Sequence, residues 1–291
     1  MIPKSELIIN PDGSAFHVHI KPDQLADTVL LMGDPGRVGA VSSFFDSIEA
    51  EGQSREFRFA TGTYKGKRMT CVSHGIGPDN IDIVMTELDA LANIDFATRE
   101  IKPVHRRLTL VRMGTCGAIQ PDIPIGSAVL SHVSIGFDCL MRWYADIDKI
   151  NLKDYEEDFL RFMDWDAAGL PHPYFVKASQ ELTYLFSDWT VKGMTISAPG
   201  FYGPQGRVLR LKLAMPDMLE KLEKWSYDGR RITNFEMESG ALAGMSAQLG
   251  HDAITVCCVI ANRYAGESNT DYRPFVQSMI EATLDTLAKY Q

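Results

Sequence analysis

The chain has 291 residues, 45% hydrophobic and 23% charged, with a formal net charge of -9 and a pI near 5.3. That composition supplies ample apolar surface for a globular core. Its acidic balance argues against a general nucleic-acid or acidic-membrane binder, which would present a basic surface. Five cysteines (Cys71, Cys116, Cys139, Cys257 and Cys258) form no CxxC pair, so buried thiols in a reducing, cytoplasmic setting are expected and not a disulfide scaffold. The opening MIPKSELIIN lacks the pattern of a secretory signal, and no run approaches the roughly 18 apolar residues of a membrane span.

In chain order, Thr28–Gly33 (TVLLMG) predicts a strand, followed by a tight turn and a helix from about Val38 to Phe45. Met69–Ser73 predicts a second strand. From Asn80 to about Leu91 apolar residues recur at three and four, which predicts a helix capped by Asn80 or Asp79. Asn93–Arg107 reads as a connection, Leu108–Met113 and Ser127–Ile135 as strands, and Met141–His172 as a surface excursion with short helices. Val191–Ser197 predicts another strand. Ser239–Leu249 predicts a close-packed helix, Ala253–Ile260 a buried strand, and Pro274–Ala288 an amphipathic helix. Apolar strands alternating with helices imply an α/β fold: one domain, 1–291, with a largely parallel or mixed sheet covered on both faces.

Four segments have the chemistry of a binding site. Gly33-Asp34-Pro35-Gly36-Arg37 follows a strand; it is either a structural turn or an anion loop, in which glycine bares backbone N–H groups and arginine supplies a charged fork. It is neither a dinucleotide fingerprint nor a Walker loop. Arg112 closes an apolar strand before Gly114-Thr115-Cys116-Gly117. A buried arginine needs an anionic partner, which is either a ligand such as phosphate or a nearby carboxylate. Phe201-Tyr202-Gly203-Pro204-Gln205-Gly206-Arg207 combines aromatics, an amide and a guanidinium, which suits a planar heterocycle with adjacent carbonyl and N–H groups. In Asn234-Phe235-Glu236-Met237-Glu238-Ser239, two acids precede a small-residue helix; they suit a carboxylate cluster at its N-terminus, accepting from sugar hydroxyls. His17 and His19 would share a face if their stretch were a strand, and His74 beside Gly75 reads as an isolated loop histidine.

Taken together, GDPGR at 33–37, SREF at 54–57, RMGTCGAIQP at 112–121, FYGPQGR at 201–207 and NFEMES at 234–239 resemble the nucleoside phosphorylase family, across about residues 14–290. The resemblance implies a mixed, distorted barrel-like central sheet flanked by helices, and reversible phosphorolysis of a nucleoside with phosphate as co-substrate and no organic cofactor. By position, Gly33, Arg37, Arg112 and Thr115 match the family's phosphate-binding residues, and Arg55 an arginine that reaches a partner subunit's phosphate site. His17 matches a histidine that crosses the dimer interface to the ribose 5′-hydroxyl, with His19 as the alternative. Glu236, Met237 and Glu238 match the ribose-binding stretch. Phe201, Gln205 and Arg207 match the base pocket, and Arg263 an arginine on its far side. Glu56 and Ser73 match ligands of a monovalent cation, such as potassium. A homodimer is the implied minimal unit, with a hexamer as the larger alternative. Two features favour a pyrimidine, uridine above all: the Gln205/Arg207 pair, and the absence of an aspartate after the late strand, which ends Ile260-Ala261-Asn262-Arg263. The segments near 95–107 and 141–172 read as insertions on the compact family pattern.

Overall fold

The run Thr28–Met32 forms β1, fully buried, and its alternate side chains enter different layers. Val29 and Leu31 join one apolar cluster, and Leu30 and Met32 another. This is why the run is apolar without alternation: both faces of the sheet are covered. The computed structural model describes residues 1–290; Gln291, the last residue of the expected domain, lies outside them.

The chain continues through helix α1 (Pro35–Ser42), the antiparallel strands β2 (Ser47–Ser54), β3 (Phe57–Tyr64) and β4 (Lys67–Ser73), and helix α2 (Pro78–Asn93). A two-residue hairpin, β5 (Ile94–Asp95) with β6 (Glu100–Ile101), occupies part of the expected connection. Next come β7 (Thr109–Ala118) and β8 (Ala128–Gly136). The aromatic excursion folds as 3-10 turns and helix α3 (Lys153–Met163), then β9 (Tyr174–Lys177), α4 (Gln180–Leu185) and β10 (Val191–Ser197). Helix α5 (Met218–Lys224), β11 (Ser226–Tyr227), β12 (Arg230–Glu236), α6 (Ser239–Leu249), β13 (Asp252–Asn262), β14 (Glu267–Ser268) and α7 (Arg273–Lys289) complete it.

Twelve strands make one mixed sheet in the order β11-β12-β10-β8-β13-β7-β1-β4-β3-β2, with β14 and β9 as side branches. It closes on itself because β12 also pairs antiparallel with the end of β7, through Asn234↔Ala118 and Phe235↔Gly117. The ring β12-β10-β8-β13-β7 is the expected distorted barrel, and β1-β4-β3-β2 is an arm attached to it. Helices α2 and α6 pack against each other on one side. Helices α1 and α7 cover the other. An aromatic cluster of Phe159, Phe175, Trp165 and Trp225 seats α3 and α5 on the outer strands.

Some local expectations are corrected. Helix α1 begins three residues early, because Pro35 suits the first helical turn and the Asp34 carboxylate caps the Gly36 N–H at 2.8 Å. Helix α2 is preceded by Gly77, and neither Asn80 nor Asp79 caps it. His17 and His19 lie in a turn, so the shared strand face required for a metal pair does not form. The β2–β3 hairpin gave no signal, since Ser47–Ser54 is polar and mostly exposed.

Just after β8, the Asp138 carboxylate accepts from Tyr174 Oη at 2.7 Å and from the Leu140 N–H at 2.8 Å through one oxygen, while Oδ2 is buried without a partner among the described residues. Burial raises its pKa to about 6. Between the unfolded and folded values the native state holds a proton that the unfolded chain releases, so stability falls as pH rises through that window. Asp138→Asn should therefore raise the melting temperature more at about pH 7 than at about pH 4; equal gains in thermal melts at the two pH values would contradict this.

Candidate active site

Strand β7 changes partners along its length. Its first half pairs with β1 as far as Leu31↔Arg112, and its end pairs with β12 from Gly117 onward. Between these points one edge of Met113–Cys116 is left open. A cavity of about 680 Å³ opens there, at the carboxyl ends of the parallel strands β1 and β7, where α/β folds gather ligands. Gly33, Arg37, Arg112, Thr115, Phe201, Gln205, Arg207, Glu236, Met237 and Glu238 all line it, so four segments distant in sequence meet in one place.

The floor is built around Arg112, 4% exposed. Its Nη1 donates to Glu236 at 2.7 Å, its Nη2 to Glu238, and its Nε to His74 Nε2 at 3.2 Å. Burial opposes its charge, but Glu238 and Glu236 outweigh that and hold its pKa above the ordinary arginine value. The carboxylate reading of Arg112 therefore holds, and the residue also lines the cavity. Gly114, two residues on along the same face, makes room, since a Cβ there would lie 2.9 Å from Arg112 Nη1 and 2.7 Å from Cys257 Sγ.

The two acids have different surroundings. Glu236 is saturated by its own chain: beside Arg112 it accepts from the Glu238 and Ser239 N–H groups and from Ser239 Oγ. It therefore sits at the N-terminus of α6, as the dipole favours. Glu238 accepts from Arg112 and from the Gly77 N–H, at the start of α2. Burial and then the charge of Glu236, opposed by Arg112, leave its pKa above the usual carboxylate value. Of the pair, Glu238 has fewer internal partners and more capacity for a ligand hydroxyl.

Arg37 is different again. Its Nη1 donates to the Met113 carbonyl at 3.2 Å, and no carboxylate pairs with it among the described residues. Burial lowers its pKa, only partly countered by Asp34, and Arg112 lowers it further. Arg37 is thus a half-buried cation with no ion-pair partner among the described residues, beside the open edge of β7. Gly33 packs against the Gly75 carbonyl, 3.0 Å from where its Cβ would lie, which closes that wall.

At the other end of the cavity, Arg207 stacks 3.8 Å over the Phe201 ring and donates to Gln205 Oε1 at 2.6 Å. Gln205 is buried, and with its acceptor engaged it retains the amide Nε2 as donor. Burial and then the neighbouring Arg263 lower the Arg207 pKa to about 10. Arg263 lines the adjoining cleft and donates to the Gln205 carbonyl at 2.9 Å, so it acts behind the loop.

Of the remaining expected residues, only Glu56 is among those lining the cavity. Arg55 is exposed at the β2–β3 turn with a φ of 53°, and His17 bonds Glu87 at 2.6 Å through Nδ1. The His17 ring lies edge-on to Phe57, with ring centroids 6.0 Å apart. His19 is exposed. Glu56 lines the cavity, where Asn80 donates to it at 3.3 Å. Ser73 Oγ donates to the Glu56 carbonyl at 2.5 Å and accepts from the Arg58 N–H at 2.8 Å.

Sequence reasoning missed His74. It is fully buried and follows β4, continuing the ladder through its N–H to the Met32 carbonyl at 2.8 Å. Accepting from Arg112 places its own proton on Nδ1, which has no partner among the described residues. Burial and then the Arg112 charge push its pKa well below 6.5, so it stays neutral and keeps this role. The signal was present but indirect: a histidine at the end of a buried strand adjacent to β1.

A family model described as "Phosphorylase superfamily" matches residues 27–289. A uridine phosphorylase of Thermococcus kodakarensis is 30% identical over 256 residues, which cover 88% of this chain and 80% of that protein. A purine nucleoside phosphorylase of Vibrio cholerae is 27% identical, covering 93% and 95%. Among solved structures, a Trypanosoma brucei nucleoside phosphorylase described as showing uridine phosphorylase activity superposes with a TM-score of 0.86 at 30% identity, covering 97% of this chain and 99% of that one. These relatives share the fold and are enzymes of the nucleoside phosphorylase family. The chain belongs to the phosphorylase superfamily, within its nucleoside phosphorylase branch.

His74→Leu leaves the Arg112 Nε–H without an acceptor, so the KM for phosphate should rise about tenfold with a smaller change for the nucleoside. His74→Gln, which restores an acceptor, should recover part of the loss. Steady-state kinetics with each substrate varied in turn would refute the assignment if both KM values moved equally.

Proposed function

We propose that the chain catalyses the reversible phosphorolysis of uridine to uracil and ribose 1-phosphate. One observation carries this reading: the unpaired Arg37 and the loop Phe201–Arg207 stand at two ends of one cavity, with Glu238 and Met237 lining it too. Phosphate takes the end formed by Arg37, Arg112, Thr115 and the Gly33 backbone. Glu238 accepts from the ribose 2′- and 3′-hydroxyls, and Met237 packs on the sugar. Glu236, whose oxygens are engaged within the chain, holds Arg112 in place for this reaction.

As the C1′–N1 bond lengthens, the sugar gains oxocarbenium character that the phosphate dianion stabilises and then traps. Negative charge moves to the pyrimidine ring, where the Gln205 amide and the Arg207 guanidinium donate to it. The Phe201 stack and the Gln205 bond hold that guanidinium before the base arrives. No covalent intermediate is required.

Purine nucleosides form the second reading, since purine enzymes also stand among the relatives. Ile260-Ala261-Asn262-Arg263 offers no carboxylic acid to protonate a purine. With a nucleoside panel and phosphate, chromatography should detect uracil release and little base from inosine or adenosine; the reverse preference would overturn the pyrimidine assignment. Arg112→Ala should lower kcat/KM by more than about 100-fold, the scale of a lost preorganised donor.

The minimal active unit in this reading is a homodimer, supported by the absence of both His17 and Arg55 from the lining of their own cavity. Co-expressed Arg55→Ala and Arg112→Ala chains should regain activity in the mixed dimer, because one of its two sites then carries neither lesion. Mixed dimers no more active than the separate variants would remove the shared site.

A further inference from the structure

On the opposite rim of the ring, at the start of β10 and β12, a second concavity of about 530 Å³ is lined by His132, Thr183, Lys192, Gly193, Arg230 and Arg231, among others. Two adjacent irregularities build it. Between β10 and β8 the register passes from Gly193↔Ser131 to Met194↔Val133, which leaves His132 as the extra residue of a bulge. Between β10 and β12 it passes from Met194↔Ile232 to Thr195↔Asn234, which leaves Thr233 likewise. Gly193 permits this crowding, since a Cβ there would lie 2.1 Å from Thr233 Cγ2. Bulges redirect side chains, and they concentrate beside functional sites.

The side chains so gathered are basic, on a chain whose net charge is -9. Arg231 is paired with Asp122, and Arg230 with Asp228. Lys192, and Lys177 from β9, have no ion-pair partner among the described residues, and both are exposed to solvent. His132 Nδ1 is buried with no hydrogen-bond partner among the described residues. Burial, followed by the charges of Arg230, Lys177 and Lys192, disfavours its protonation, so this ring is faced by cations that Asp228 and Asp122 balance only in part. Four cationic side chains against two carboxylates leave a local excess suited to one dianion.

We propose that this bulge pocket is a second anion site, distinct from the catalytic cavity, which binds a phosphoryl dianion through Lys192, Lys177, Arg230 and the His132 ring. The group is carried either by free orthophosphate or by a nucleotide. It does not depend on the reaction assigned to the other rim.

The test follows the His132 imidazole by proton–nitrogen correlation spectroscopy of the full chain, its resonance assigned by loss in His132→Gln. Orthophosphate and uridine diphosphate are titrated separately against sodium chloride at equal ionic strength. A saturable His132 shift at millimolar concentration or below, weakened on the order of fivefold in Lys192→Gln, is expected. A response to both anions points to the phosphoryl group alone, and a response to the diphosphate alone points to a nucleotide; either supports the site. No saturable shift with either anion, a shift reproduced by sodium chloride, or a shift unchanged in Lys192→Gln overturns it. Lys192 lies outside the catalytic cavity, so uracil release by that variant should match the parent whether or not the uridine assignment holds.

Discussion

A guanidinium enclosed by protein is tolerable only if every donor finds an acceptor, and the centre of this enzyme is organised by that demand. Arg112 sits on the middle strand of the fold and draws partners from three other elements: His74 after β4, Glu236 at the end of β12 and Glu238 at the start of α6. The same acids tie down the first turns of α2 and α6 through Gly77, Glu238 and Ser239 N–H groups. Packing of the arm against the ring and definition of the binding cavity are therefore one problem with one electrostatic solution.

Two arginines of similar position thus have opposite electrostatic states. Arg112 is neutralised within the chain and serves as a fixed reference point. Arg37 has no ion pair among the described residues, and Asp34 offsets its burial only in part. Breaking a buried pair typically costs several kcal/mol, so Arg112 is the more firmly fixed of the two.

Much of this was legible in the chain, for identifiable reasons. Buried strands such as Thr28–Met32 and Asp252–Asn262 are nearly continuous apolar runs, and the glycines that follow β1 and lie within β7 mark the cavity. Strand β2 was illegible because its residues face water on an outer edge, and β12 because its apolar stretch is short and flanked by arginines. Site residues close to a glycine motif were found; His74 was passed over because its partner lies 38 positions away and only the pairing of β1 with β4 and β7 brings them together. Glu236 fits the carboxylate cluster expected at the N-terminus of α6, where the Glu238 and Ser239 N–H groups converge on it. That Glu236 rather than Glu238 collects these donors depends on the turn into α6, which residue type alone does not reveal.

The exchange of partners along β7 has a mechanical consequence. A sheet that forks leaves two rigid bodies joined along one seam, and the ligand cleft lies in the crotch between them. A molecule gripped at once by the Gly33 turn on the arm and the Phe201 loop beside the ring spans that crotch like a strut. Any ligand that touched both walls would tie the arm to the ring across their open side.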